Sequence, residues 1–168
     1  VRTRALRDRV EPFLPALSAV VASALALGGL TAWTAAGAAG SPAELSVTHA
    51  RVLQPFPGRA STAVVFTVRN EGAADDRLLA VTSPAVNSAM LSQDADAGQA
   101  AARMRMIGSA PVPARGALEM TPYGTDVMVE LREPVRLGER GPFTLHFQQS
   151  PPLNVEALVV RHSEWSYP

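Results

Sequence analysis

Few side chains in this sequence are equipped for chemistry, and the methionines are the ones whose spacing stands out. Met104 and Met106 alternate with arginine in Arg103-Met104-Arg105-Met106. In an extended strand both thioethers therefore leave the same face. Met128 lies in a second alternating run, Asp126-Val127-Met128-Val129-Glu130-Leu131. A thioether is a soft, neutral donor suited to Cu(I), and unlike a thiolate it forms no disulfide outside the cell. Methionine is equally a filler of irregular core gaps. Both roles stay open at this level, and the side to which the sulfurs point decides between them.

Other chemistries find less support. The three histidines, His49, His146 and His162, sit in no G-x-S-x-G, H-E-x-x-H or paired-histidine context. The acidic residues are scattered: Asp75-Asp76 and Asp94/Asp96 read as solvated loop charges. No glycine-rich phosphate loop occurs, so no enzyme is expected. Cysteine is absent from the 168 residues, which removes thiol catalysis, zinc–cysteine sites, disulfides and a cysteine-linked lipid. Fifteen basic residues, all arginine, balance fifteen acidic ones, and no basic stripe is interleaved with aromatics. Nucleic acid is therefore not an expected partner. The all-arginine, alanine-rich composition fits coding from a GC-rich genome.

The elements that must position the methionines are short. Leu45–Leu53, Ala60–Arg69, Asp76–Val81, Asn87–Ser92, Arg103–Ile107, Ala117–Met120, Asp126–Leu131, Phe143–Gln148 and Leu153–Arg161 read as strands. Turn signals such as Asn70-Glu71-Gly72 and Pro122-Tyr123-Gly124 separate them. Eight or nine short strands with turns every 8–12 residues or so describe an antiparallel sandwich or barrel. Phe143, Leu145 and Phe147 share one strand face and His146 takes the other. The segment from Gln93 to Ala102 is expected as a polar loop with at most one helical turn, and residues 163–168 as a loose tail.

Ahead of these strands, Arg2, Arg4, Arg7 and Arg9 precede a stretch from Pro12 to Pro42 without a charged residue. Its apolar centre, Leu14 to Leu30, shows no amphipathic stripe. Positive charge followed by an apolar run predicts a signal peptide or an N-terminal membrane anchor over residues 1–40. Ala36-Gly37-Ala38 suits cleavage, and the 23 residues from Leu14 to Ala36 suit a bilayer crossing. Either way, the domain over residues 41–162 is expected outside the cytoplasm.

Several segments in order resemble the periplasmic copper chaperone family PCu(A)C. They are Phe66 to Gly72 (FTVRNEG), Asp75 to Ala85 (DDRLLAVTSPA), Ala102 to Gly124 (ARMRMIGSAPVPARGALEMTPYG), Asp126 to Glu139 (DVMVELREPVRLGE), and the closing FTLHFQ and VEALVV. The similarity runs from about Leu45 to Val160. It implies a cupredoxin-like antiparallel β-sandwich with Greek-key topology. It also implies a surface Cu(I) site with two histidines and two methionines spaced H-x10-M-x21-H-x-M, and delivery of copper to an oxidase subunit or assembly factor.

This chain departs from that pattern at both histidines. Met104 and Asp126 enclose 21 residues and Asp126-Val127-Met128 keeps the final x-M, but the histidine positions fall on Ser92 and Asp126. The interval from Ser92 to Met104 encloses 11 residues. The resemblance thus carries over Met104 and Met128 as ligands, with Met106 beside them. A hydroxyl and a hard carboxylate are poor substitutes for imidazole on Cu(I). Met90, two residues before Ser92 and on the same strand face, is the candidate replacement, with Met120 as another. Asp126 could instead bond a loop or pair with Arg103 or Arg105. The expectation is a copper(I)-binding, chaperone-like protein with a degenerate methionine site; the alternative is a metal-free sandwich that serves as a binding domain.

Overall fold

A computed structural model describes residues 13–35, 40–95 and 103–165. The chain divides into two units, Val1–Ser41 and Pro42–Pro168. The first contains helix α1 (Phe13–Ala35). Pro15 falls in its first turn, where a missing N–H costs nothing. The hydroxyls of Ser23, Thr31 and Thr34 bond back to the carbonyls of Ala19, Leu27 and Leu30. Among the described residues no helix is long and apolar enough to cross a membrane. Arg2 to Arg9 and Ala36-Gly37-Ala38 lie outside the described residues.

The second unit is all β. Its strands are β1 (Leu45–Leu53), β2 (Ser61–Asn70), β3 (Asp76–Thr82), β4 (Val86–Ala95), β5 (Arg103–Met106), β6 (Ala110–Val112), β7 (Gly116–Glu119), β8 (Thr125–Leu131), β9 (Arg140–Phe147) and β10 (Leu153–Val160). They form one curled, continuous sheet in the order β5-β4-β8-β2-β1-β10-β9-β3-β6, with β7 added beside β2. The expected fold class stands, with one change to its pairing. β1 and β10 run parallel, Arg51 opposite Leu158 and Leu53 opposite Val160, so the sheet is mixed. Beyond the expected strands there is also β6, three residues long and too short to show periodicity.

Curling brings one face of the strands other than the edge strand β5 to a common core. Val64, Phe66, Leu78, Val112, Val127 and Leu145 are fully buried there. Phe143, Leu145 and Phe147 point inward, and the outward His146 exchanges a hydrogen bond with Thr82 Oγ1 at 2.9 Å. In β1 a bulge between Val47 and His49 breaks the alternation that the sequence leads one to expect.

Two turns show why particular residues are needed. Asn70 Oδ1 accepts from the backbone N–H of Glu44 (3.1 Å) and Gly72 (3.0 Å), while Nδ2 donates to the Ala74 carbonyl at 2.8 Å. A Cβ on Gly72 would stand 2.0 Å from the Pro42 carbonyl oxygen, so this turn has room only for glycine.

Two further expectations need correction. Gln93 to Ala95 continue β4 instead of opening a loop, because they pair with Arg103 to Arg105 across the sheet edge; residues 96–102 lie outside the described residues. Nor is the end of the chain loose as far as Trp165. His162–Glu164 form a 3-10 turn held by an Arg51 guanidinium bond to the Glu164 carbonyl. The His162 ring stacks on Phe56 at 4.7 Å, and Trp165 meets Tyr123 edge-on at 5.9 Å. Residues 166–168 lie outside the described residues.

Candidate metal centre

Register places the candidate ligands on a small grid at the β5 edge of the sheet. Opposite residues of an antiparallel pair share a face. Met106 stands opposite Ser92, and Ser92 opposite Asp126, forming one row across β5, β4 and β8. Met90 stands opposite Met128 in the row on one side. Met104 stands opposite Asp94 in the row on the other. Leu91 and Val127, the neighbours of opposite parity, are buried in the core, so the grid faces outward.

Exposure separates the grid into two kinds of residue. Met90, Met104 and Met106 are 51%, 49% and 51% exposed, and Met128 is half-buried. Met120, by contrast, is fully buried and belongs to the core. Ser92 and Asp126 are only 1% and 4% exposed although they lie on the outer face. They are short side chains whose grid neighbours are long, and the thioethers on both flanks stand higher than they do.

A soft-metal site requires the methionine sulfurs on the outer face, and a core-filling role requires them inside. Four of the five lie on the outer face.

Beneath them, Ser92 Oγ donates a hydrogen bond to Asp126 Oδ1. The partner found for Asp126 is thus a serine on the neighbouring strand and not a loop, and Arg105 reaches Gln93 Oε1 at 3.4 Å. Burial pushes the Asp126 carboxyl up, to about 6; the Ser92 bond opposes this and the nearby Asp94 charge adds to it. No imidazole reaches the grid: His49 is on β1, His146 on β9 and His162 in the final turn. Among the described residues no group of three or more His, Cys, Asp or Glu could hold a metal ion. Any metal on this face would therefore depend on sulfur, and the donor set fits a soft monovalent ion better than a hard divalent one.

Proximity within the grid is uneven. With strands ~4.8 Å apart and ~3.4 Å per residue, Met90 and Met128 are separated by ~5 Å and Met90 and Met106 by ~8 Å. Met106 and Met128 lie ~12 Å apart, and Met104 and Met128 ~16 Å. Met104 is ~7 Å from Met106 along β5 but ~14–16 Å from Met90 and Met128, so it is near one of these sulfurs only, whereas Met90 is near both Met106 and Met128.

Comparison with known proteins agrees with this architecture. Residues 45–159 match the family described as LpqE-like, a lipoprotein family by that description. Among solved structures, the chain is similar to CuI-DR1885 from Deinococcus radiodurans, with 30% identity and a TM-score of 0.58, covering 76% of this chain and 84% of that one. The apo PCuAC domain from PmoF1 shares 20% identity at a TM-score of 0.60, covering 73% of this chain and 98% of that one. The copper-bound PCuAC domain from PmoF2 shares 20% identity at 0.57, covering 73% and 97%. No curated protein matches.

Proposed function

The chain belongs to the LpqE-like family and is a PCu(A)C-type domain, and on that premise we propose that it is a copper(I)-binding, chaperone-like protein acting outside the cytoplasm. The observation that carries this reading is the sulfur-lined outer face of β4, β5 and β8. Two relatives of the same fold are described as copper-loaded, CuI-DR1885 and the PmoF2 domain. In this chain the two histidine positions of the family pattern hold Ser92 and Asp126, which bond each other. Thioethers take over the soft-donor role, and the hydroxyl–carboxyl pair serves as the floor beneath them. A copper-accepting oxidase subunit or assembly factor is the partner class that follows from the family.

The arginine-headed, uncharged segment ahead of the domain supports export through a leader or anchor. Fusing residues 1–41 to a reporter active only outside the cytoplasm tests this arm. Activity supports export, and an inactive, stably expressed fusion contradicts it.

One observation favours a second reading, a metal-free binding domain. The buried Ser92–Asp126 pair satisfies itself without any ion. Titration of the full chain with Cu(I) against a chromogenic chelator under reducing conditions separates the two. One equivalent withdrawn from the chelator supports copper binding, and none withdrawn from even a weak chelator leaves the metal-free reading.

A further inference from the structure

We propose that the ion is held by Met90, Met106 and Met128, with Met90 as the central sulfur and Met104 outside the set, and that the site accepts Ag(I) as well as Cu(I). This rests on the copper(I) reading above and specifies which atoms perform it.

Register supplies the geometry. Met90 is directly opposite Met128 and diagonal to Met106, which stands opposite Ser92, two residues along β4. Cross-strand and diagonal neighbours lie ~5 Å and ~7–8 Å apart, within reach of long side chains. Methionine has three rotatable bonds with which to close such gaps. Met90 is therefore the one sulfur within cross-strand or diagonal reach of both others. Met104 lies two rows from Met90 and Met128, a separation of ~14–16 Å that no pair of side chains leaning together spans. The methionine that the family spacing would select is thus displaced, while two that the spacing does not name, Met90 and Met106, are in place.

Exposure makes the sulfurs accessible but does not choose among them: Met90, Met104 and Met106 are all about half-exposed on the outer face, so register alone sets Met104 apart. Beneath them the Ser92–Asp126 pair is closed on itself, so the first coordination shell contains sulfur alone. An all-thioether shell is neutral and soft. It favours d10 monovalent ions and offers nothing to Zn(II) or Mg(II). Ag(I) shares the charge and softness of Cu(I), and the face makes no distinction between them.

The test uses the full chain and the two metal ions alone. Leucine replacements keep bulk and hydrophobicity while removing sulfur, a swap that the exposed Met90, Met104 and Met106 and the half-buried Met128 tolerate. Met90→Leu, Met106→Leu and Met128→Leu should each weaken Cu(I) and Ag(I) by at least about tenfold in chelator competition. Met104→Leu should weaken them less than Met90→Leu does. X-ray absorption of the copper-loaded chain should show a sulfur-only first shell. If the wild type binds copper but Met90→Leu matches it, or Met104→Leu is the more damaging, this ligand set is wrong while copper binding itself survives. A nitrogen or oxygen donor in the first shell overturns it likewise. If the wild type binds neither ion, the copper reading and this inference fail together.

Discussion

Replacing Asp126 by asparagine should change how stability depends on pH, and the structure fixes both sign and size. The carboxyl is 4% exposed, and its pKa is raised from 3.8 to about 6, chiefly by burial. In the unfolded chain it ionises near 3.8. Between these values the folded state therefore holds one proton more than the unfolded state, so stability falls as pH rises. The contribution is complete below pH 3.8 and lost once pH passes about 6. At ~1.36 kcal/mol per pH unit, the full loss is about 3 kcal/mol. An amide does not titrate, so Asp126→Asn escapes that loss. Relative to wild type it should gain about 3 kcal/mol, or roughly 10 °C in Tm, between pH 3.5 and 7.5. Denaturant unfolding in metal-free buffer, followed by tryptophan fluorescence across that range, measures it. A difference between the proteins that stays constant within about 0.5 kcal/mol refutes the argument that the buried carboxyl is forced to ionise at a cost.

Asp76 should behave in the opposite sense. Burial works against its charge, but bonds from Ser150 Oγ (2.5 Å) and the N–H groups of Arg77, Gln149 and Ser150 hold its pKa below 3.8. Its contribution is therefore present above pH 3.8 and lost as pH falls through the lower folded value, and Asp76→Ala should cost about 3 kcal/mol at pH 7 in equilibrium unfolding. Gly72→Ala should cost about 3 kcal/mol in the same assay, because the new methyl meets backbone of Pro42, Ala43 and Glu44. Arg115 adopts φ 53° in the turn after β6, a left-handed conformation that suits glycine. Arg115→Gly should relieve a left-handed strain of about 1–2 kcal/mol, less the backbone entropy of glycine, and raise Tm by a few degrees; a lower Tm would contradict this.

Most of the sheet is legible in the sequence because each strand alternates against one core, as in Phe143-Thr144-Leu145-His146-Phe147. Asn70 and Gly72 are legible as a turn, although the reason for the glycine, the approach of Pro42, comes from a distant segment. What alternation cannot show is which strands become neighbours. The parallel β1–β10 pairing and the docking of Trp165 on Tyr123 depend on how the sheet curls. The site divides the same way. The shared face of Met104 and Met106, and of Met90 and Ser92, follows from spacing by two. The pairing of Met90 with Met128, and the burial of Ser92 and Asp126 on an outward face, require the register of three strands. That register moves the emphasis from Met104 to Met90.

The most direct test of the central claim is a methyl NMR titration of the full chain, labelled with 13C at the methionine methyls, with Ag(I) as a stable stand-in for Cu(I). The five methionines report separately. The methyls of Met90, Met106 and Met128 should shift together and saturate at one equivalent of metal, Met104 should move less, and the buried Met120 should stay in place. Spectra in which none of the outer-face methyls moves would contradict a methionine-built metal site.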